Sequence, residues 1–234
     1  TNQTVIGAND TTGVANNSVT LGNASVTDVY MSQDSGAYVH SQNVPNHVAN
    51  TMSSPYYRFD SVDDKIIIAT NSVVEDHFDN GGTISAWIYP LSDGESSAGR
   101  VIATDNWNLF LDSDDGTNCK LAQVQVFSGD NPTFTTSALV LPLNTWSHVA
   151  TVYDNGSGTN YPVMYINGVS YAVERNQAGS GTRTTSASHG YGIGSDRNGN
   201  VTFDGQIAGV SIFNNALTAT EVKELYSGAS VPFK

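Results

Sequence analysis

At 234 residues, with 9 basic against 22 acidic side chains and a formal net charge of −13, the chain offers no basic stripe to a nucleic acid and little attraction to an anionic membrane. Only 13% of the residues are charged, and Gly, Ser, Thr and Asn are abundant, which is the make-up of strands and turns with a neutral polar surface. The single cysteine, Cys119, excludes an internal disulfide, and neither a transmembrane run nor a signal peptide is visible.

Residues 1–50 are different in kind from the rest. They contain no Trp or Phe and almost no charge, and Val5-Ile6-Gly7-Ala8-Asn9 recurs approximately as Thr20-Leu21-Gly22-Asn23-Ala24. A short self-similar period marks a coiled β repeat in which each turn buries one or two apolar residues against its neighbours. The run Asn17 to Ser25 resembles the head repeats of trimeric autotransporter adhesins, which also occur in phage tail fibres. Two thin turns bury too little apolar surface to offset the entropy of ordering them. The resemblance therefore implies a homotrimer, with Ile6, Val19, Leu21, Val26 and Val29 facing one another around an axis. A flexible Thr/Asn-rich linker is the alternative reading. Tyr30 to Asn50, with Gly36 and Pro45, reads as a connector, so the expected division is a β-repeat stalk and connector over 1–50 and a second domain over 51–234.

From residue 51 onward strands and turns alternate at short spacing. Tyr57 to Ile68 forms the opening strands. Thr83 to Pro90 sends Ile84, Ala86 and Ile88 to one face and Ser85, Trp87 and Tyr89 to the other. Trp107 to Leu111 is a strand followed by an acidic hairpin loop, Asp112 to Asn118. Thr145 to Tyr153 alternates apolar residues on both faces, as a central strand does, which places His148 and Tyr153 on opposite sides. Asn167-Gly168 between Ile166 and Val169 predicts a type I′ hairpin turn. Asp204 to Phe213 is a strand with Ile207, then Val210 and Ile212 after one slip. The period then changes to that of a helix: Thr218 and Glu221 have capping-box spacing, Val222, Leu225 and Tyr226 form one stripe, and Gly228 ends it.

Taken in this order, residues 55–228 resemble the laminin G-like (concanavalin A-like) jelly rolls. The resemblance implies an all-β antiparallel jelly-roll sandwich closed by a short C-terminal helix. Secreted animal members often carry a disulfide near their end; this chain lacks one and is closer to microbial or viral relatives.

The fold also hosts polysaccharide hydrolases and lyases. A retaining glycosidase needs two carboxyl groups roughly 5 Å apart, which relatives place on one strand face as Glu-x-Asp-x-x-Glu. No such run exists among the glutamates at 75, 95, 174, 221 and 224, so no catalytic residues are assigned. The resemblance also implies calcium between the first and last strands. The acidic pair usual after the late Gly is replaced here by Ala208 and Gly209, which leaves Asp60, Asp63, Asp64 and Asp204 to supply oxygens.

For a glycan, an aromatic ring for the sugar's C–H face and planar polar groups for its hydroxyls are needed. Three clusters qualify: Asn106 and Trp107; Asn155 with Tyr161, flanked by Asp154 and Asn160; and Arg197 on the loop after Tyr191. Trp107 has a second reading, packed inside with Leu109 and Leu111. The expected function is non-catalytic binding of a bacterial surface polysaccharide or other cell-surface receptor, by a homotrimeric phage tail-fibre tip or related adhesin. Its expected place is the virion or the extracellular space, with no nucleic-acid partner and no membrane insertion. The alternatives are a depolymerase with a dispersed active site and a structural virion module without ligand.

Overall fold

The computed structural model describes residues 56–69, 78, 81–154, 160–184 and 190–227, together with the backbone of residues 3–6 and 18–21. The chain divides into two units, Thr1–His47 and Val48–Lys234. In the first, β1 (Gln3–Ile6) and β2 (Ser18–Leu21) pair in parallel, with Val5 opposite Thr20 and Ile6 opposite Leu21. That register aligns the two copies of the sequence repeat.

The second unit is a sandwich of two sheets. Its strands in chain order are β3 (Tyr57–Asp60), β4 (Ile66–Ile68), β5 (Gly82–Pro90), β6 (Arg100–Ala103), β7 (Trp107–Asp114), β8 (Asn118–Gln125) and β9 (Thr133–Thr136). They continue with β10 (Leu141–Pro142), β11 (Ser147–Tyr153), β12 (Val163–Ile166), β13 (Val169–Tyr171), β14 (Val173–Gln177), β15 (Tyr191–Ile193) and β16 (Asp204–Phe213). One sheet has six strands in the order β13-β12-β11-β5-β16-β3. The other has eight, β14-β9-β8-β7-β6-β15-β4, with β10 paired to β8. Every pairing within the two sheets is antiparallel, so the all-β jelly-roll expectation holds.

Alternation decides which residues enter the core. Ile84, Ala86 and Ile88 of β5, Val149 and Tyr153 of β11 and Ile207 of β16 face inward from the six-stranded sheet. They meet Trp107, Leu109 and Leu111 of β7, Leu121 of β8 and Phe134 of β9. Each fully buried aliphatic or aromatic side chain contributes about 1.5–3 kcal/mol. Cys119 lies in the same core. Burial, reinforced by the charges of Asp114, Asp93 and Asp115, pushes its thiol up to about 12.

Three local predictions are met in detail. Asn167 and Gly168 both take positive φ, 52° and 73°, as the type I′ turn between β12 and β13 requires. The Asn167 side chain also accepts the backbone N–H of His148 at 2.9 Å, tying that turn to β11. The slip in β16 is a β-bulge: register with β5 shifts between Ala208 and Ser211, where Gly209 adopts φ 56°, and Val210 and Ile212 then pack against the core.

The capping box opens α1 (Ala219–Ser227). Thr218 donates its N–H and its hydroxyl to the Glu221 carboxylate, both at 2.8 Å, and the Glu221 N–H donates back to the Thr218 hydroxyl oxygen at 3.3 Å. The helix covers the outer face of the six-stranded sheet, where Val222 packs with Ala150, Val152 and Tyr165. Tyr226 lies 5.9 Å from Trp87 between ring centroids. Gly228 lies outside the described residues. Among the described residues no helix is long and apolar enough to cross a membrane.

Candidate functional site

Only one of the three predicted aromatic clusters reaches the surface with its ring. Trp107 is 0% exposed, edge-on to Phe78 at 5.6 Å and tilted against Tyr191 at 5.9 Å. Tyr191 and Asn106 are likewise buried. The cause is local: the Thr104 hydroxyl oxygen accepts the N–H groups of Asn106 and Trp107, at 3.0 and 3.1 Å, and this turn directs the alternation of β7 so that Trp107, Leu109 and Leu111 point inward. The core reading of Trp107 is therefore the correct one, and neither Trp107 nor Tyr191 presents a ring to solvent. Asn106, buried beside them, presents no amide there.

Arg197 remains accessible, 33% exposed, but its guanidinium is engaged: Nε donates to Asp105 Oδ1 at 2.6 Å. This pair joins two clusters that the sequence holds far apart. The rest of the Arg197 loop satisfies itself, since the Asp196 carboxylate accepts the N–H groups of Asn198 and Asn200 at 2.8 and 2.7 Å.

The remaining cluster is an open groove of about 390 Å³ where β11 ends and β12 begins, lined by Val152, Asp154, Asn160, Tyr161 and Val163. Tyr161 is 50% exposed. Its ring is braced by Phe134 at 5.5 Å and by the Arg175 guanidinium at 5.6 Å. Beside it the Asn160 side-chain amide donates to the Asp154 carboxylate at 3.3 Å, leaving a further donor and an acceptor on the amide and further acceptor capacity on the carboxylate. Asn155 lies outside the described residues. Val152 and Val163 were not singled out from sequence. They precede and follow the predicted loop on facing strands, in register with one another, and that pairing was the available signal.

Three of the four candidate metal ligands come together. Asp60, Asp63 and Asp64 each offer a carboxylate oxygen within 4.8 Å of the others. The tight turn that gathers them has Ser61 at φ 63°, and Asp60 accepts the Val62 N–H at 3.0 Å. An all-oxygen donor set of this charge fits a hard cation such as calcium. Asp204 stands opposite Asp60 in the β3–β16 register, but its carboxylate accepts the Ser92 hydroxyl at 2.8 Å and does not join the three.

Several glutamates have structural work. Glu95 accepts the N–H and hydroxyl of Thr202, at 3.0 and 3.3 Å, and Glu221 caps α1. Glu174 pairs with Lys120 at 2.6 Å, which holds its carboxyl below the usual range. His148 is buried between the rings of Trp87 and Tyr226, on the face of β11 opposite Tyr153.

Solved structures share this architecture at low identity. The receptor-binding domain of a botulinum neurotoxin C/D mosaic serotype is 17% identical with a TM-score of 0.54, the match covering 78% of this chain and 44% of that one. A protein from Bacteroides ovatus described as carbohydrate-binding is 21% identical with a TM-score of 0.51, over 71% of this chain and 45% of that one. The CBM40 of a Ruminococcus gnavus IT-sialidase, bound to α2,3-sialyllactose, is 11% identical with a TM-score of 0.50, over 74% and 98%. No curated protein matches the sequence. Residues 60–223 match the profile of the Concanavalin A-like lectin/glucanases superfamily, and the chain belongs to that family.

Proposed function

We propose that the protein binds carbohydrate at a cell surface without catalysis, and that the Tyr161 groove is where a sugar sits. The observation that carries this reading is the half-exposed Tyr161 ring, held by Phe134 and Arg175 beside the Asp154–Asn160 pair. The exposed ring takes the C–H face of a pyranose, while the amide and carboxylate take its hydroxyls. The structural relatives named above include one bound to sialyllactose and one that is a receptor-binding domain, which supports the same class of ligand.

In this reading the chain is the tip of a phage tail fibre or a similar adhesin, in the virion or outside the cell, and its partner is a bacterial surface polysaccharide. Residues 1–50 form a trimeric stalk, supported by the parallel repeat-matched pairing of β1 and β2. Three heads at fixed separation then bind by avidity. Calcium bound by Asp60, Asp63 and Asp64 pins the turn between β3 and β4. A glycan array of the full chain against its Tyr161→Ala variant tests the site: loss of every positive spot in the variant supports the groove, and an unchanged pattern overturns it. Sedimentation of the full chain as a monomer overturns the trimer.

A further inference from the structure

The outer face of the six-stranded sheet carries a row of side chains that no single stretch of sequence contains. Phe59, Ile88 and Ile207 point into the core, so alternation turns Arg58, Tyr89 and Gln206 outward on three adjacent strands. Register sets Gln206 opposite Tyr89 on one side and opposite Arg58 on the other. Trp146, just before β11, extends the row, its ring 5.8 Å from that of Tyr89. Neighbouring strands lie about 4.8 Å apart, so an indole, a phenol, an amide and a guanidinium follow one another across four strands.

Tyr56 closes this row. Its ring stands 5.7 Å from Trp146 at 61°, and the residue is 43% exposed. Trp146 itself is buried, yet it packs against these tyrosines rather than within the core, so it serves as their support. Between Tyr56 and Tyr89 stands the Trp146 ring, which both contact, and β16 places the small, buried Ala208 opposite Trp87. Two tyrosine rings braced on one indole, with planar hydrogen-bonding groups in line on the neighbouring strands, form a preorganised arrangement for a hydroxyl-rich ligand.

We propose that Tyr56, Tyr89, Gln206 and Arg58 form a second saccharide site, which takes a neutral hexose unit. The ring faces of the tyrosines meet the sugar's C–H groups, while Gln206 and Arg58 hydrogen-bond its hydroxyls. Charge selects the occupant. Asp204 flanks the row on β16, and the chain carries a net charge of −13, so a polyanionic glycan is repelled from this face. The site rests on the carbohydrate reading for its ligand class but uses none of the groove's residues. From Trp146, which supports the second site, to Val152 in the groove is about 20 Å along β11 at roughly 3.3 Å per residue. The second site itself is offset across the sheet on β5, β16 and β3, and α1 packs on β11 between them. One head thereby holds a polysaccharide at two points.

Affinity electrophoresis of the full chain through gels containing dextran, β-glucan, galactan or mannan, with hyaluronan as the anionic control, tests the site. The expected result is retention by at least one neutral polymer, weakened fivefold or more by Tyr56→Ala and by Gln206→Ala, with unchanged thermal melting. If Tyr161→Ala weakens retention and Tyr56→Ala does not, the second site is wrong and the groove stands. If Tyr56→Ala weakens it and Tyr161→Ala does not, the second site stands and the groove is wrong. Retention by hyaluronan alone, or by none of the polymers, overturns the second site.

Discussion

Thr151 and Gln123 hydrogen-bond to each other through the core, the threonine hydroxyl of β11 donating to the glutamine carbonyl oxygen of β8, so a polar contact joins the two sheets. The Gln123 amide nitrogen is buried and has no partner among the described residues. Replacing one member leaves the other unsatisfied at a cost of about 1–3 kcal/mol, whereas replacing both by apolar residues is close to neutral. Urea titrations of Gln123→Leu, Thr151→Val and the double variant are expected to give two destabilised single variants and a double variant near the wild type. Additive losses would show that the two side chains do not depend on each other.

His148 makes stability depend on mild acid. Burial pushes its imidazole down to about 4, between the rings of Trp87 and Tyr226. The unfolded chain takes up the proton near 6.5. Below that pH the unfolded state binds a proton that the folded state refuses, so stability is full above pH 6.5, falls as pH drops towards 4, and then levels off. The loss is on the order of 3 kcal/mol. A His148→Gln variant is expected to flatten the curve between pH 6.5 and 4 in denaturant midpoints; an unaltered slope would assign the pH dependence to other groups.

Much of the fold was legible because its signals are local. Gly209 permits the bulge that shifts the apolar phase of β16, Asn167 and Gly168 tolerate positive φ, and Thr218 reaches Glu221 within one helical turn. The sites were less legible because burial and pairing are set by distant partners. Trp107 reads both as a sugar platform and as a core ring until Phe78 and Tyr191 close over it. Arg197 reads as free until Asp105, 92 positions away, takes its Nε–H. Within the groove, Asp154, Asn160 and Tyr161 were visible together because they lie on one short loop.

The helix cap has a measurable share in stability. Thr218→Ala removes the acceptor for the Glu221 N–H and the hydroxyl that holds the Glu221 carboxylate. A loss of about 1 kcal/mol is expected, which for a chain of this size is a melting temperature lower by about 2–4 °C. Calorimetry checks it; an unshifted melting point would mean that Val222 and Tyr226 alone hold the helix to the sheet.

Calcium, if held by Asp60, Asp63 and Asp64, stabilises by mass action: at a concentration one hundred times its dissociation constant the gain is about 2.7 kcal/mol. Thermal melts with added calcium are therefore expected to shift upward for the wild type and to stay put for Asp63→Asn. Equal shifts in both proteins would place the ion elsewhere.

The lone thiol of Cys119 is sealed inside the sandwich and held protonated far above neutral pH. A maleimide added to the folded protein therefore finds nothing to alkylate. One cysteine introduced at a solvent-facing position would become the sole reactive handle. A fluorophore or a surface could then be coupled at a chosen spot without first engineering the native sulfur away.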